Sequence, residues 1–159
     1  MTQICPGPAY PGYMDVVSFA DANVQVVAVA GGEQELVLAT LLSGADARAL
    51  ADALHWQRAR DHQIVAMDTP EAVLAFRALA TLLDEIETIA DQDGGPVMLT
   101  HDQVALLAES AARYVADRHS DEHLPARERE RIERLRGLIG PLFERVSQLA
   151  GAREQLGRC

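Results

Sequence analysis

The sequence predicts an α+β fold, in which a small N-terminal antiparallel sheet precedes a mainly helical body of about five helices. Two runs rich in β-branched residues, 24–30 and 35–43, flank a Gly-Gly turn and indicate a β-hairpin. After residue 43, apolar residues recur at helical spacing through most of the remaining chain. Aromatic residues make up only 4% of the chain, and most of its apolar residues are Ala, Leu and Val. Side chains of this size suit closely packed helices.

The predicted antiparallel sheet has two or three strands, because Val16, Val17 and Phe19 suggest a short strand before the hairpin. Both faces of the hairpin are apolar, whereas a sheet with one face in water alternates with polar residues. The first helix can cover one face, and the other face requires later helices or a second molecule. The alternation separates a face with Val24, Val26, Leu36 and Leu38 from a face with Val27, Val29, Val37 and Leu41. The second set is the predicted partner or dimer interface.

Helix start and stop signals divide the rest of the chain into helices near 44–62, 70–91, 100–117, 126–139 and 142–156. The start signals are Ser43 as an N-cap, Thr69-Pro70, and a capping box of Thr100 and Gln103. Gly140-Pro141 is predicted to break or kink the C-terminal helical part. Segment 63–67 is either a short strand or a connector.

One domain is predicted from residue 15 to residue 159, since a chain of 159 residues can bury a core of adequate size. Within it, residues 15–67 form the hairpin and one helix, and residues 68–156 form the helical part. Residues 1–14 contain three prolines and two glycines, which disfavour a helix or a central strand. They are predicted to be a flexible tail, and Met14 is an alternative start of the natural protein.

The charged residues exclude several classes of function. All 14 cationic residues are arginine, so the chain has no lysine for a Schiff base, a P-loop or a kinase-type phosphate site. The net charge is -10, which argues against a nucleic-acid partner. Residues 1–112 hold 4 Arg and 16 acidic residues, whereas residues 113–159 hold 10 Arg and 8 acidic residues. The basic C-terminal helices could therefore dock on an acidic surface of this chain or of another.

The sequence predicts a cytoplasmic protein without a membrane partner. Its two cysteines, Cys5 and Cys159, form neither a disulfide framework nor a ladder of metal ligands. No apolar run approaches the length that spans a membrane, and no charged region precedes an apolar stretch near the N-terminus.

The closest match to a catalytic pattern is the segment His119-Ser120-Asp121-Glu122-His123. It has the H-x-x-E-H spacing of the inverted zinc peptidases and resembles that family in these five residues alone. On a helix, His119 and His123 share a face and could bind one divalent metal, with Glu122 as a general base. The segment precedes Leu124-Pro125 and shows no obvious third ligand, so an exposed polar loop is the favoured interpretation.

A second segment, from Asp91 to Asp102, resembles a calcium-binding EF-hand loop in three acidic positions but has Pro96 where that loop requires glycine. It is interpreted as an ordinary connection between helices. No cofactor is therefore predicted. The favoured function is a non-enzymatic protein-protein interaction module, such as an adaptor, a regulator, or a partner-specific chaperone or inhibitor. The alternative is a small metal-dependent enzyme or metal sensor that uses His119, Glu122 and His123.

Overall fold

The computed structural model describes residues 17–18, 24–28, 34–64, 69–118 and 123–158, with side chains within 36–61, 69–118 and 123–154. The described elements are β1 (Val17–Ser18), β2 (Val24–Ala28), β3 (Gln34–Ser43), α1 (Gly44–Ile64), α2 (Pro70–Asp91), β4 (Gly94–Thr100), α3 (His101–Arg118) and α4 (Ala126–Arg158). This arrangement confirms the α+β class. The predicted tail, residues 1–14, lies outside the described residues.

The long strand β3 is the centre of the sheet. The strand β2 pairs with it antiparallel along residues 34–38, which confirms the predicted hairpin. The short β1 pairs with it in parallel at residues 40–41 on the same edge. The strand β4 pairs antiparallel along the opposite edge, at residues 37–43. The described sheet therefore has four strands instead of the predicted two or three, and it is not purely antiparallel because β1 pairs in parallel with β3.

The additional strand, β4, occupies the segment that resembles an EF-hand loop. The sequence predicts a connection at its Gly-Gly-Pro start, because these residues usually end secondary structure. Pairing with the open edge of β3 satisfies the backbone of this segment instead. The turn that precedes it has positive φ at Asp93 (59°) and Gly94 (113°), and the Asp93 carboxylate accepts a hydrogen bond from Arg48 at 2.8 Å.

The described C-terminal part is one helix, α4, rather than the two predicted helices, because the backbone continues through Pro141. Proline removes one intrahelical hydrogen bond, the one to the carbonyl of Gly137. The residue before it, Gly140, has no Cβ to clash with the proline ring, which lowers the cost of a helical conformation there. Buried side chains on both sides of Pro141, including Leu138 and Leu142, hold the two halves against the same core.

The other helix starts agree with the capping signals. Ser43 Oγ accepts from the backbone N–H of Asp46 at 3.1 Å, and Thr69 Oγ1 accepts from Ala72 at 3.1 Å. Thr100 and Gln103 exchange two hydrogen bonds, which completes the predicted capping box at the start of α3. These signals act within four residues, so they do not depend on the tertiary fold.

The core lies between the inner face of the sheet and the four described helices. Its fully buried leucines come from every layer and include Leu38, Leu54, Leu82, Leu99, Leu107 and Leu135. On α1 the buried positions include the small residues Ala47 and Ala53, which allow neighbouring elements to approach closely. No helix in the described part of the chain combines the length and apolar character needed to cross a membrane.

Two glycine substitutions are expected to change stability in opposite directions. At Gly137, in the interior of α4, an added Cβ meets no atom within 4 Å, so Gly137→Ala should stabilise the protein by about 0.5–1 kcal/mol. At Gly94, φ is +113° and the Cβ would lie 2.9 Å from the carbonyl oxygen of Leu42. Gly94→Ala should therefore destabilise it by about 1–3 kcal/mol. Urea unfolding followed by circular dichroism measures both changes, and a loss of stability in Gly137→Ala would show that α4 is not a continuous helix.

Candidate interaction surface

The register of β3 and β4 assigns their residues to two faces of the sheet. On the inner face, Leu38 pairs with Leu99 and Thr40 pairs with Val97, and all four are buried. On the outer face the pairs are Val37 with Thr100, Ala39 with Met98, and Leu41 with Pro96. Residues in one cross-strand pair lie on the same face, so Leu41, Pro96 and Met98 are neighbours.

The outer face is covered at one end and open at the other. Val37 is 5% exposed and Ala39 is fully buried, whereas Leu41 is 43% and Met98 is 53% exposed. Pro96 is also exposed. These three apolar residues form a continuous patch, which we call the outer sheet patch (Leu41, Pro96 and Met98). A contiguous exposed apolar patch is typical of an interaction surface.

A groove of about 670 Å³ borders the outer sheet patch at Leu41. It separates the carboxyl end of β3 and the start of β4 from the middle of α4. Its lining includes Leu41, Leu42, Gly94, Gly95, Gly137, Leu138 and Pro141. Glycines at three of these positions leave backbone at the groove surface, so a partner side chain can approach closely.

The four predicted interface residues have different positions in the structure. Leu41 belongs to the outer sheet patch, and Val37 lies on the same face but is buried. Val27 is paired in β2 with Glu35, a position on the outer-face side of β3, although its side chain is not described. Val29 lies outside the described residues.

The sequence did not predict Pro96 and Met98 as part of this surface, because it did not predict β4. The alternation in Val97-Met98-Leu99 is a weak strand signal.

The candidate metal ligands are only partly within the described chain. His123 is exposed at the turn before α4, whereas His119 and Glu122 lie outside the described residues. Within the described part, no three His, Cys, Asp or Glu side chains are close enough together to hold a metal ion.

If residues 119–123 form an exposed polar loop, as the sequence favours, a chelator should leave the melting temperature of the purified full-length protein unchanged. Removal of a bound structural metal would instead lower it. Differential scanning fluorimetry with and without EDTA, together with elemental analysis, makes the measurement. Stoichiometric zinc that is lost in the His119→Ala variant would favour the metal-dependent alternative.

Glu128, near the start of α4, belongs to a polar network that links three helices. Its Oε2 accepts from the Tyr114 hydroxyl at 2.8 Å and from Arg118 Nη1 at 3.2 Å, and its Oε1 contacts Arg131. Arg131 also binds Asp52 of α1 at 2.8 Å. This network ties α1, α3 and α4 together, and partial burial makes its ion pairs stronger than fully exposed ones.

Tyr114 is the aromatic centre of the same network. It is 2% exposed, packs edge-on against Trp56 at 5.9 Å, and has the Arg118 guanidinium 4.7 Å from its ring centre. Burial raises the pKa of the Tyr114 hydroxyl above its ordinary value, and the adjacent Glu128 adds to this effect. A hydroxyl that stays protonated in this position acts as a hydrogen-bond donor, which is a structural role.

The raised pKa predicts an alkaline loss of stability. The folded state holds the Tyr114 proton more tightly than the unfolded state, so this contribution is complete below pH about 10 and is lost as the pH rises through the folded-state value. The absence of lysine leaves few other groups that titrate in this range. Between pH 9 and 11, the urea concentration at the unfolding midpoint should fall less in Tyr114→Phe than in the wild type. Equal decreases in the two proteins would show that Tyr114 does not cause the alkaline loss of stability.

A larger cleft of about 1320 Å³ lies between the amino-terminal halves of α1 and α4. Five arginines and four acidic residues line it, so opposite charges nearly cancel. Arg134 binds Asp46 at 2.9 Å, and Arg131 binds Asp52. The basic C-terminal part thus pairs with acidic residues of this same chain, and the cleft offers no strong excess of charge to select a ligand.

Comparison with protein-family models, with curated proteins and with solved structures finds no match to this chain.

Proposed function

We propose that this protein is a non-enzymatic interaction module whose outer sheet patch binds another protein. The observation that carries the proposal is the exposure of Leu41 and Met98 on one sheet face beside a glycine-lined groove. The neighbouring Val37 and Ala39 are buried, so the patch has a rigid apolar base. Binding would remove apolar side chains from water, and this is the main favourable contribution to most protein associations.

The charges around the patch indicate the chemistry of the partner. Asp93, which pairs with Arg48, and Asp102, which contacts His101, lie beside the two ends of β4, with side chains 82% and 86% exposed. The chain as a whole carries a net charge of -10. The complementary partner surface is apolar at its centre and basic at its rim, since opposite charges steer association and disfavour wrong partners.

The test uses a photo-crosslinking amino acid at position 98 of the full chain in its native cells, with position 150 as an exposed control on α4. A single protein crosslinked at position 98 alone, and no longer crosslinked when Leu41→Glu is introduced, would support the proposal. The purified partner should then bind the Leu41→Glu variant at least about tenfold more weakly by calorimetry. Equal crosslinking at both positions, or unchanged affinity in Leu41→Glu, would contradict it.

A further inference from the structure

The helix α2 has a second, outward-facing stripe besides the one that packs in the core. On its buried side, the side chains that pack in the core are Leu79, Leu82, Leu83, Ile86 and Ile89. On an adjacent side, about a third of a turn from the buried one, exposed residues recur at alternating intervals of four and three, namely Leu74, Ala78, Thr81, Glu85 and Thr88. This is the spacing by which one helix packs along another. Leu74, at 64%, is the most exposed of the large hydrophobic side chains in the described residues.

Charge is divided along this stripe. Arg77 lies beside its amino-terminal half, whereas residues 78–93 contain five acidic residues and no basic one. Asp84 lies two helical turns beyond Arg77 on the same side of the stripe. Within the described part of the chain, the side chains of Arg77, Asp84 and Glu85 have no hydrogen-bond or ion-pair partner. Arg77, the single basic residue of α2, and Asp84 therefore lie about 10 Å apart along one exposed side of the helix.

We propose that α2 pairs antiparallel with α2 of a second copy of this chain. A two-fold axis near residue 80 places Arg77 beside Asp84 of the partner subunit, and symmetry repeats the same pair at the other end. The small side chains of Ala78 and Thr81 then meet at the centre and allow the two helices to approach closely. Leu74 packs on the methylene groups of Glu85 of the partner subunit at each end.

The division of charge is what specifies a second copy in this orientation. In a parallel pair, one edge of the stripe faces the other edge of the partner's stripe, so Arg77 and Asp84 of the two copies would lie on opposite sides of the seam and would not meet. Only the antiparallel arrangement makes a single face complementary to itself. The stripe shares no residue with the outer sheet patch, so this self-association and the binding of another protein are separate properties that can be tested independently.

Charge reversal provides the decisive experiment on the full-length protein at low salt. Sedimentation equilibrium should show a wild-type dimer that added salt weakens. Arg77→Glu and Asp84→Arg should each weaken it about tenfold or more, because each turns two attractive contacts into repulsive ones. The double variant Arg77→Glu/Asp84→Arg should restore the wild-type dissociation constant to within about threefold. Ala78→Arg should abolish the dimer, whereas Ala150→Arg, an exposed alanine of α4, should not.

Circular dichroism checks that each variant is folded, and the substituted positions are exposed, so none of the changes places a charge in the core. A wild-type monomer would overturn the inference, as would a dimer that both single reversals leave intact or that the double variant fails to restore. A dimer that dissociates in Leu41→Glu but not in Arg77→Glu would assign self-association to the outer sheet patch instead.

Discussion

Leu38→Glu is expected to prevent folding, whereas Leu41→Glu, three residues farther along the same strand, should leave the protein folded. Leu38 is fully buried on the inner face of the sheet, opposite the equally buried Leu99. An unpaired carboxylate there costs several kcal/mol, which is comparable to the roughly 5–15 kcal/mol stability of a whole domain. Leu41 is 43% exposed, so a carboxylate at that position can remain in water.

Far-ultraviolet and near-ultraviolet circular dichroism with urea unfolding separates the two outcomes. Leu38→Ala is the matched control for lost volume without charge, and it should cost about 2–5 kcal/mol while the protein remains folded. The stability of Leu41→Glu should stay within about 1 kcal/mol of the wild type. Unfolding of Leu41→Glu would show that the chain itself covers the outer sheet patch, and the proposed interaction surface would then be wrong.

Glu128→Ala is expected to destabilise the protein by about 2–3 kcal/mol. The substitution leaves the Tyr114 hydroxyl without its acceptor and removes the carboxylate that lies between Arg118 and Arg131. The Glu128 side chain is 21% exposed, so the loss should be smaller than for a fully buried ion pair.

Glu133→Ala is the matched control, because Glu133 also lies on α4 and pairs with an arginine three residues later. That pair is exposed to solvent, with 70% of the Glu133 side chain accessible, so its loss should cost no more than about 0.5 kcal/mol. Guanidinium chloride would screen both pairs, and urea is therefore the denaturant of choice. Equal effects of the two substitutions would mean that the Glu128 network contributes no more than an ordinary surface pair.

The alternation of β3 predicts the part of the candidate surface that β3 contributes, but not the part that β4 contributes. A period of two correctly puts Val37 and Leu41 on one face of the strand, but periodicity contains no information about what covers each position. The partners of Leu41 on that face, Pro96 and Met98, are more than fifty residues away in sequence. Their contribution depends on the pairing of β4 with the open edge of β3, a non-local contact that no local pattern specifies.

The sequence by itself determined the features that arise from interactions within a few residues. These are the hairpin of β2 and β3, the capped starts of α1, α2 and α3, and the core-facing apolar stripe of α2. Only the tertiary structure shows where packing overrides the local preference of a segment for a turn or a helix end. It placed a Gly-Gly-Pro segment in a strand and continued α4 through Pro141, because backbone pairing and a shared leucine core outweigh the local cost. It also joined Tyr114 to Glu128, since residues on separate helices meet only when those helices pack.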